Sequence, residues 1–276
     1  MNIVYLIGLL LAFFFVFFGI MVDFNAAQVV DPEQLTLFID PASVLIVIGG
    51  TFAVVVACYP KQVRSMLKHF RIMLGAKTFN PEKYIDELVE LAQIARKNGL
   101  LALEERANAQ PDPFFKQAIM LIVDATDPDR VRSILTNDIE QTSARHQEVV
   151  AMYERGSNAA PAFGMIGTLI GLVKMLYALN DADMSSLGPN MGVALITTFY
   201  GSLLAHVVFN PIAANLTARD EEEMVCREII LEGIMAIQSG ENPKYLRERL
   251  LTFTNQNKRD GESGGKSKRR GKGNEE

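Results

Sequence analysis

The chain has 276 residues, a formal net charge of −5 and 49% hydrophobic residues, with no tryptophan and two cysteines. Its mean hydropathy of +0.14 is too high for an ordinary soluble domain and too low for a chain that is membrane throughout, so apolar spans must alternate with polar segments. Cys58 ends an apolar run and Cys226 sits in a charged segment, settings that do not suggest a disulfide framework, and no metal-ligand spacing is present.

From Met1 to Val22 there is no charged residue. About 20 apolar residues match the hydrocarbon thickness of a bilayer. The run lacks a basic start and a small-residue cleavage site, so it reads as a retained span rather than a signal peptide. The loop Asp23 to Asp40 carries Asp23, Asp31, Glu33 and Asp40 and no Lys or Arg. A second span runs from Pro41 to Tyr59, and Lys61, Arg64, Lys68 and Arg71 follow it at once. Basic flanks mark the cytoplasmic side. Both termini are therefore expected inside and the acidic loops outside, with Tyr and Phe supplying the interfacial aromatic belt.

The stretch after the second span shows helical spacing and no strand alternation. Asn80-Pro81 reads as an N-cap followed by a first-turn proline. Leu88, Leu91 and Ala95 recur at helical intervals, and Gly99 is placed to stop the helix. A short helix is expected over Leu101 to Ala107, broken by Pro111 and Pro113, and another over FFKQAIMLIVD. Asp127-Pro128 starts a long polar helix that feeds into a third span, Ala159 to Leu179, interrupted only by Lys174. Lys174 lies about one turn from the end of that span, where its stem can snorkel. Asp181 and Asp183 follow, and a fourth span runs from Pro189 to Ile212 with His206 as its single ionisable group, for which two readings stand, a residue lining a pathway and, favoured, a histidine hydrogen-bonded between helices.

Arg219 to Phe253 is again helical in pattern. The tail beyond it carries Lys258, Arg259, Lys266, Lys268, Arg269, Arg270 and Lys272 among Gly and Ser, and cannot bury enough surface to fold. Behind a membrane protein, attraction to anionic lipid is expected of it rather than nucleic-acid binding. The fold class is all-α, a polytopic membrane protein with a helical cytoplasmic domain. Five segments are expected: 1–59, the first two spans with their acidic loop; 60–156, a cytoplasmic helical domain; 157–213, the third and fourth spans; 214–254, C-terminal cytoplasmic helices; and 255–276, a disordered basic tail.

The third and fourth spans are not plain lipid-facing helices. Gly164, Gly167, Gly171 and Thr168 lie in one, and Thr197, Thr198, Gly201, Ser202 and Pro211 in the other. Small residues permit close approach, and hydroxyls at matching depth suit either bundle packing or a polar pathway. Pro161 and Pro211 stand near the cytoplasmic ends, where each can kink its helix. A cation pathway needs oxygen ligands and usually a carboxylate, yet no span carries an acid. Either the chain does not conduct ions or a partner brings the carboxylate.

Three blocks carry a family resemblance: Ala160 to Ala213 (APAFGMIGTLIGLVKMLYALND…LGPNMGVALITTFYGSLLAHVVFNPIA), Ala95 to Glu105 (ARKNGLLALEE) and Ser43 to Gly50 (SVLIVIGG). With four spans in this order, the chain resembles the MotA/PomA family of flagellar stator A subunits up to about Phe253. The resemblance implies an inner-membrane ring, thought to be a pentamer, around a dimer of MotB/PomB-like B subunits. Each B subunit brings one helix with an ion-binding aspartate and a peptidoglycan-binding domain. It also implies torque on the rotor protein FliG, with no enzyme activity and no cofactor. Arg96 and Lys97 match the family's basic torque-interface positions, and Glu104 and Glu105 the acidic ones. Pro161 and Pro211 match two prolines tied to torque generation. Thr168 and Thr198, with Thr197 beside them, match hydroxyls associated with sodium-driven members, and Asp40 matches an outer-mouth acid implicated in sodium uptake. Asn158 stands where sodium-driven members tend to carry an acid. Sodium is the expected ion, ahead of protons.

Two other readings compete. An ExbB/TolQ-type energy-transducing subunit has one span before its cytoplasmic domain, whereas this chain has two. A secondary transporter usually carries internal repeats and its own midplane ligands, and neither is found. An enzyme reading finds no nucleophile–base pair, metal motif or phosphate loop.

Overall fold

The computed structural model describes residues 3–22, 30–66, 68–69, 79–180 and 184–254. Asp23, Arg71, Asp181, Asp183 and the basic tail 255–276, which the sequence reading uses, lie outside the described residues. Among the described residues there is no strand, only an isolated bridge between Val22 and Val30. Among the described residues four helices are long and apolar enough to cross a membrane. The chain forms two compact units, residues 1–77 with 145–218 and residues 78–144 with 219–276. These units follow packing rather than the expected bilayer boundaries. Residues 60–77 and 145–156 group with the spans, and the helices after Ala218 group with those after Lys77.

In the first unit, α1 (Ile3–Met21) is apolar all round. Val4, Ile7, Leu10, Phe14 and Phe15 stand exposed, which is what a lipid-facing helix shows. Phe14 and Phe18, one turn apart, stack at 5.3 Å. The following loop contains a tight turn, Pro32–Phe38, capped by the Asp31 carboxylate, which accepts from the Glu33 N–H at 2.9 Å. Helix α2 (Pro41–Cys58) opens on a proline and has a widened π turn at Leu45–Gly49. Its Gly50 lies under the Phe163 ring, where an added methyl would stand 2.4 Å from ring carbons.

The second unit is built from α3 (Pro81–Asn98), α4 (Glu104–Ala109), α5 (Pro113–Val123), the start of α6 (Pro128–Asn180) and later segments of the chain. Asn80 caps α3 by accepting from the Glu82 N–H, as its sequence predicts. Gly99 ends it with φ +82°, a conformation that favours glycine. The segment expected as a helix from Leu101 is instead a 3-10 turn, Leu100–Leu103, that passes into α4. The alanines in its sequence favour helix, but the turn lets Leu103 drop into the core fully buried. Leu88, Leu103, Phe115, Ile122, Leu135, Ile230, Ile234 and Leu250 form that core. Arg227 closes one side of it. Its guanidinium lies 4.8 Å from the centre of the Phe114 ring and bonds Glu223 at 2.9 Å. Cys226 beside it is buried, and desolvation pushes its thiol up to about 12.

Helix α6 is unbroken through Pro161, so the proline ends no helix. Its third-span portion packs against α7 (Leu187–Leu203), which continues through a π turn, Leu204–Phe209, into α8 (Asn210–Gln238). A final helix, α9 (Pro243–Leu250), is capped by Asn242. The α6–α7 seam is made of glycines. A methyl at Gly171 would meet the Asn190 carbonyl oxygen at 2.7 Å, and one at Gly201 would meet the Ala160 carbonyl oxygen at 2.7 Å. Both obstacles are backbone atoms, which cannot rotate away. Gly192 on the same helix has open space.

This generates a paired expectation. Gly201→Ala forces the two backbones apart and costs about 1–3 kcal/mol, the usual penalty of overpacking. Gly192→Ala is neutral or slightly stabilising through helix propensity. Thermal unfolding of the purified variants in detergent checks this, and equal midpoints for both would remove the seam from the account.

Candidate functional site

The seam places the hydroxyls. Thr168 of α6 and Thr198 of α7 meet oxygen to oxygen at 2.6 Å. The Thr168 hydroxyl also lies 3.1 Å from the Gly164 carbonyl oxygen and 3.0 Å from that of Ala194, and Thr198 lies 3.3 Å from the Ala194 oxygen. Each hydroxyl has one proton and two acceptor lone pairs. Once both protons are given to these acceptors, lone pairs remain on a side where Thr198 is exposed and Thr168 half-buried. Interhelical hydrogen bonds in membranes contribute only about 0.6 kcal/mol on average. The close glycine contacts therefore hold the helices, and the hydroxyl pair is positioned by them.

Thr197, named beside Thr198 as a pathway residue, is placed differently. It is fully buried against Gly167 and donates to the carbonyls of Val193 and Ala194 at 2.9 and 3.0 Å. Adjacent helix positions point about 100° apart, so only one of the two threonines can face outward here. Thr197 is packing in this chain.

Pro161 lies beside the Gly201 contact, its Cα 3.2 Å from where a Gly201 methyl would be. It has no N–H for the Ser157 carbonyl four residues back. Pro211 follows the π turn, in which the Asn210 N–H reaches back to the Ala205 carbonyl. Pro211 thus directly follows a turn with wider hydrogen bonding, whereas Pro161 sits inside a regular helix.

Asp40 caps α2. Its carboxylate accepts from the Ser43 N–H at 2.8 Å and from the Ser43 hydroxyl. The Ser43 hydroxyl bond, aided by backbone N–H groups and the Lys174 ammonium, holds the carboxyl below its ordinary range against a smaller desolvation cost. Lys174 is exposed. Tyr200 donates to the Phe38 carbonyl and so ties α7 to the loop ahead of Asp40.

In the second unit, Arg96 and Lys97 at the end of α3 and Glu104 and Glu105 at the start of α4 are all exposed on either side of Gly99. Among the described residues none of the four forms an ion pair, whereas Arg106 pairs with Glu90 and Arg247 with Asp86 at 2.7 Å. Arg96 and Lys97 line a groove of about 740 Å³ with Lys244 and Arg247. Glu104 and Glu105 line a second groove of about 620 Å³. The pairing of Lys244 and Arg247 with the basic positions escaped the sequence reading, because α9 lies far along the chain. Among the described residues no cluster of His, Cys, Asp and Glu is suited to a metal.

Known proteins match this chain in sequence and in fold. The sequence pattern of the MotA/TolQ/ExbB proton channel family matches residues 106–253. Motility protein A of Borreliella burgdorferi is 39% identical over 223 residues, covering 80% of this chain and 85% of that protein. Chemotaxis protein PomA of Vibrio alginolyticus is 37% identical over 260 residues, covering 94% and 98% respectively. The flagellar MotAB stator complex from Bacillus subtilis contains a chain that superposes with a TM-score of 0.81 at 29% identity, over 92% of this chain and 96% of that one. These matches make the chain, with its four apolar helices, a member of the MotA/TolQ/ExbB proton channel family, of its flagellar stator A-subunit type and not an enzyme.

Proposed function

We propose that this chain conducts a cation inward across the bacterial inner membrane together with a B subunit, sodium in preference to protons, and converts that flow into torque on the rotor. The observation that carries the reading is the Thr168–Thr198 hydroxyl pair, 2.6 Å apart on an outward helix face, in a chain whose four apolar spans hold no Asp or Glu. A partly dehydrated sodium ion needs several oxygens to replace its lost water, and hydroxyls with backbone carbonyls supply them. A proton needs a titratable carboxylate and a hydrogen-bonded chain. The missing carboxylate calls for a partner, and the solved relative from Bacillus subtilis is a MotAB complex. A homo-oligomeric ring of A subunits, thought to be a pentamer, around a B dimer is the assembly that goes with this reading, with both termini cytoplasmic.

The charges beside Gly99 are the surface offered to the rotor, a FliG-like protein. Arg96 and Lys97 present positive charge and Glu104 and Glu105 negative charge, free of ion-pair partners among the described residues. Pro161 and Pro211 are the coupling points between ion passage and helix movement. Asp40, at the head of α2, draws cations to the outer mouth.

Four expectations test this. The A subunit alone, reconstituted in vesicles, passes no sodium or protons, and robust flux through it would overturn the need for a partner. With its B subunit in a motile host lacking stators, swimming speed rises with sodium at fixed pH and constant proton-motive force. Thr168→Ala loses that sodium dependence while still assembling, since the lost bond contributes only about 0.6 kcal/mol. Sodium-independent speed, or unchanged dependence in the variant, sinks the sodium assignment. Arg96→Glu and Glu104→Lys each impair motility with normal membrane insertion, because exposed charges contribute about 0–1 kcal/mol to stability. Normal swimming by both reversals would take these residues out of the torque interface.

A further inference from the structure

The exposed positions on the helix that follows the hydroxyl pair are not those of a lipid-facing surface. Between positions 192 and 213, the exposed residues are Leu195, Thr198, Ser202, His206 and Asn210. From Thr198 onward every one is polar, and each stands four residues after the last. The line stops there, since the next exposed position, four residues further on, is Ala214. The exposed face of α1, by contrast, is apolar along its length. Polar groups facing hydrocarbon are costly, so a polar face at span depth belongs against water or a polar partner.

The π turn is what keeps this line straight. In a regular α-helix, positions four apart drift about 40° around the axis at each step. The wider turn at Leu204–Phe209 takes more residues per revolution and turns part of that drift back. Thr198, Ser202, His206 and Asn210 therefore stay on one side of the helix. From Thr198 to Asn210 the line covers about 18 Å.

The inner part of the line is held in a fixed order of hydrogen bonds. The Ser157 hydroxyl of α6, on a buried residue, donates to Asn210 Oδ1 at 2.6 Å. With the amide oxygen on Ser157, which also lies 3.4 Å from the Ala205 carbonyl oxygen, Asn210 Nδ2 faces His206 Nδ1 at 3.2 Å; His206 is thus bonded within its own helix and not between helices as expected. An Nδ1 that accepts leaves the proton of the neutral ring on Nε2. Among the described residues that Nε2–H has no partner. A donor held in place and left unpaired suits a water or hydrated-ion file better than a packed helix interface.

We propose that Ser202, His206 and Asn210 line the inner half of the ion pathway as a water-filled ribbon continuing from Thr198, with Ser157 as the residue that positions Asn210 and through it His206. The proposal rests on the ion-conducting reading above and extends it from the hydroxyl pair to the exit.

The test uses the complex of this chain with its B subunit in inside-out vesicles, with Cys58→Ser as background. Leu10→Cys on α1 is the lipid-facing control. A membrane-impermeant cationic thiosulfonate is expected to label Ser202→Cys, His206→Cys and Asn210→Cys at least about tenfold faster than Leu10→Cys, because only a water-exposed thiol ionises to react. Sodium flux is expected to fall about tenfold in His206→Leu, which puts an apolar constriction in the file. His206→Gln, which keeps a hydrogen-bonding group, conducts within about twofold of the parent. Recovery of the B subunit with each variant reports assembly separately. Labelling of the ribbon positions no faster than Leu10→Cys overturns the ribbon, and unchanged flux in His206→Leu overturns the role of the histidine. A parent complex that passes no ion defeats the conducting reading instead, and the labelling still decides whether the ribbon is wet.

Discussion

Gly164, Gly167, Gly171 and Gly201 remove the side chains that would otherwise set α6 and α7 about 8–10 Å apart. In lipid there is no hydrophobic gain in helix association, so close van der Waals contact and hydrogen bonding must supply it. The approach of the two backbones is therefore both the source of the association and the ruler for everything on it. It sets the Thr168 and Thr198 oxygens at 2.6 Å and drives Thr197 into the seam. It also decides which side of α7 stays outside. A wider spacing would break the hydroxyl pair without touching either threonine.

The second unit works by the opposite logic. Its core is apolar and closed, with Leu88, Leu103, Phe115 and Ile230 buried to 1% or less. Tyr84, a polar group at its edge, is matched. It donates to Asp112 at 2.9 Å, and its phenol is raised by burial and by that acidic neighbour. Against that background the four charges around Gly99 differ in having no ion-pair partner among the described residues. The 3-10 turn after Gly99 buries Leu103 and leaves Leu101 75% exposed between the two charged pairs. One leucine anchors the turn, and the rest of it is presented outward.

Much of this was legible in the sequence, for reasons that differ by element. The spans announce themselves by the absence of charge, and Asn80, Gly99 and Pro128 mark helix ends because their backbone requirements are local. The glycine face of the third span was visible at its close, regular spacing. What could not be read depends on partners distant in the chain. Thr197 and Thr198 are adjacent and chemically alike, and only the position of α6 assigns one to the seam and the other to the outer face. The π turns leave no clear signature in residue type: Leu45–Gly49 and Leu204–Phe209 look like ordinary apolar helix. The Ser157–Asn210–His206 order was hidden for the same reason, since an isolated histidine in a span says nothing about what holds it. The two compact units also differ from the expected bilayer segments, because packing joins residues after Lys77 to those after Ala218 while composition records only polarity.

Asp40 is one carboxylate with two employments, as cap of α2 and as a negative charge at that end of the span. A carboxyl whose pKa is lowered in the folded chain contributes stability that is complete at neutral pH and is lost only as pH falls through the lowered value. Protonation would end both in a single event, releasing the Ser43 N–H and removing the negative charge at that end of the span. Because Ser43 holds the pKa down, that event comes at a more acidic pH than an unassisted aspartate would allow. The Ser43 hydroxyl, the largest of the groups that lower this pKa, thus moves the loss of the cap to a more acidic pH.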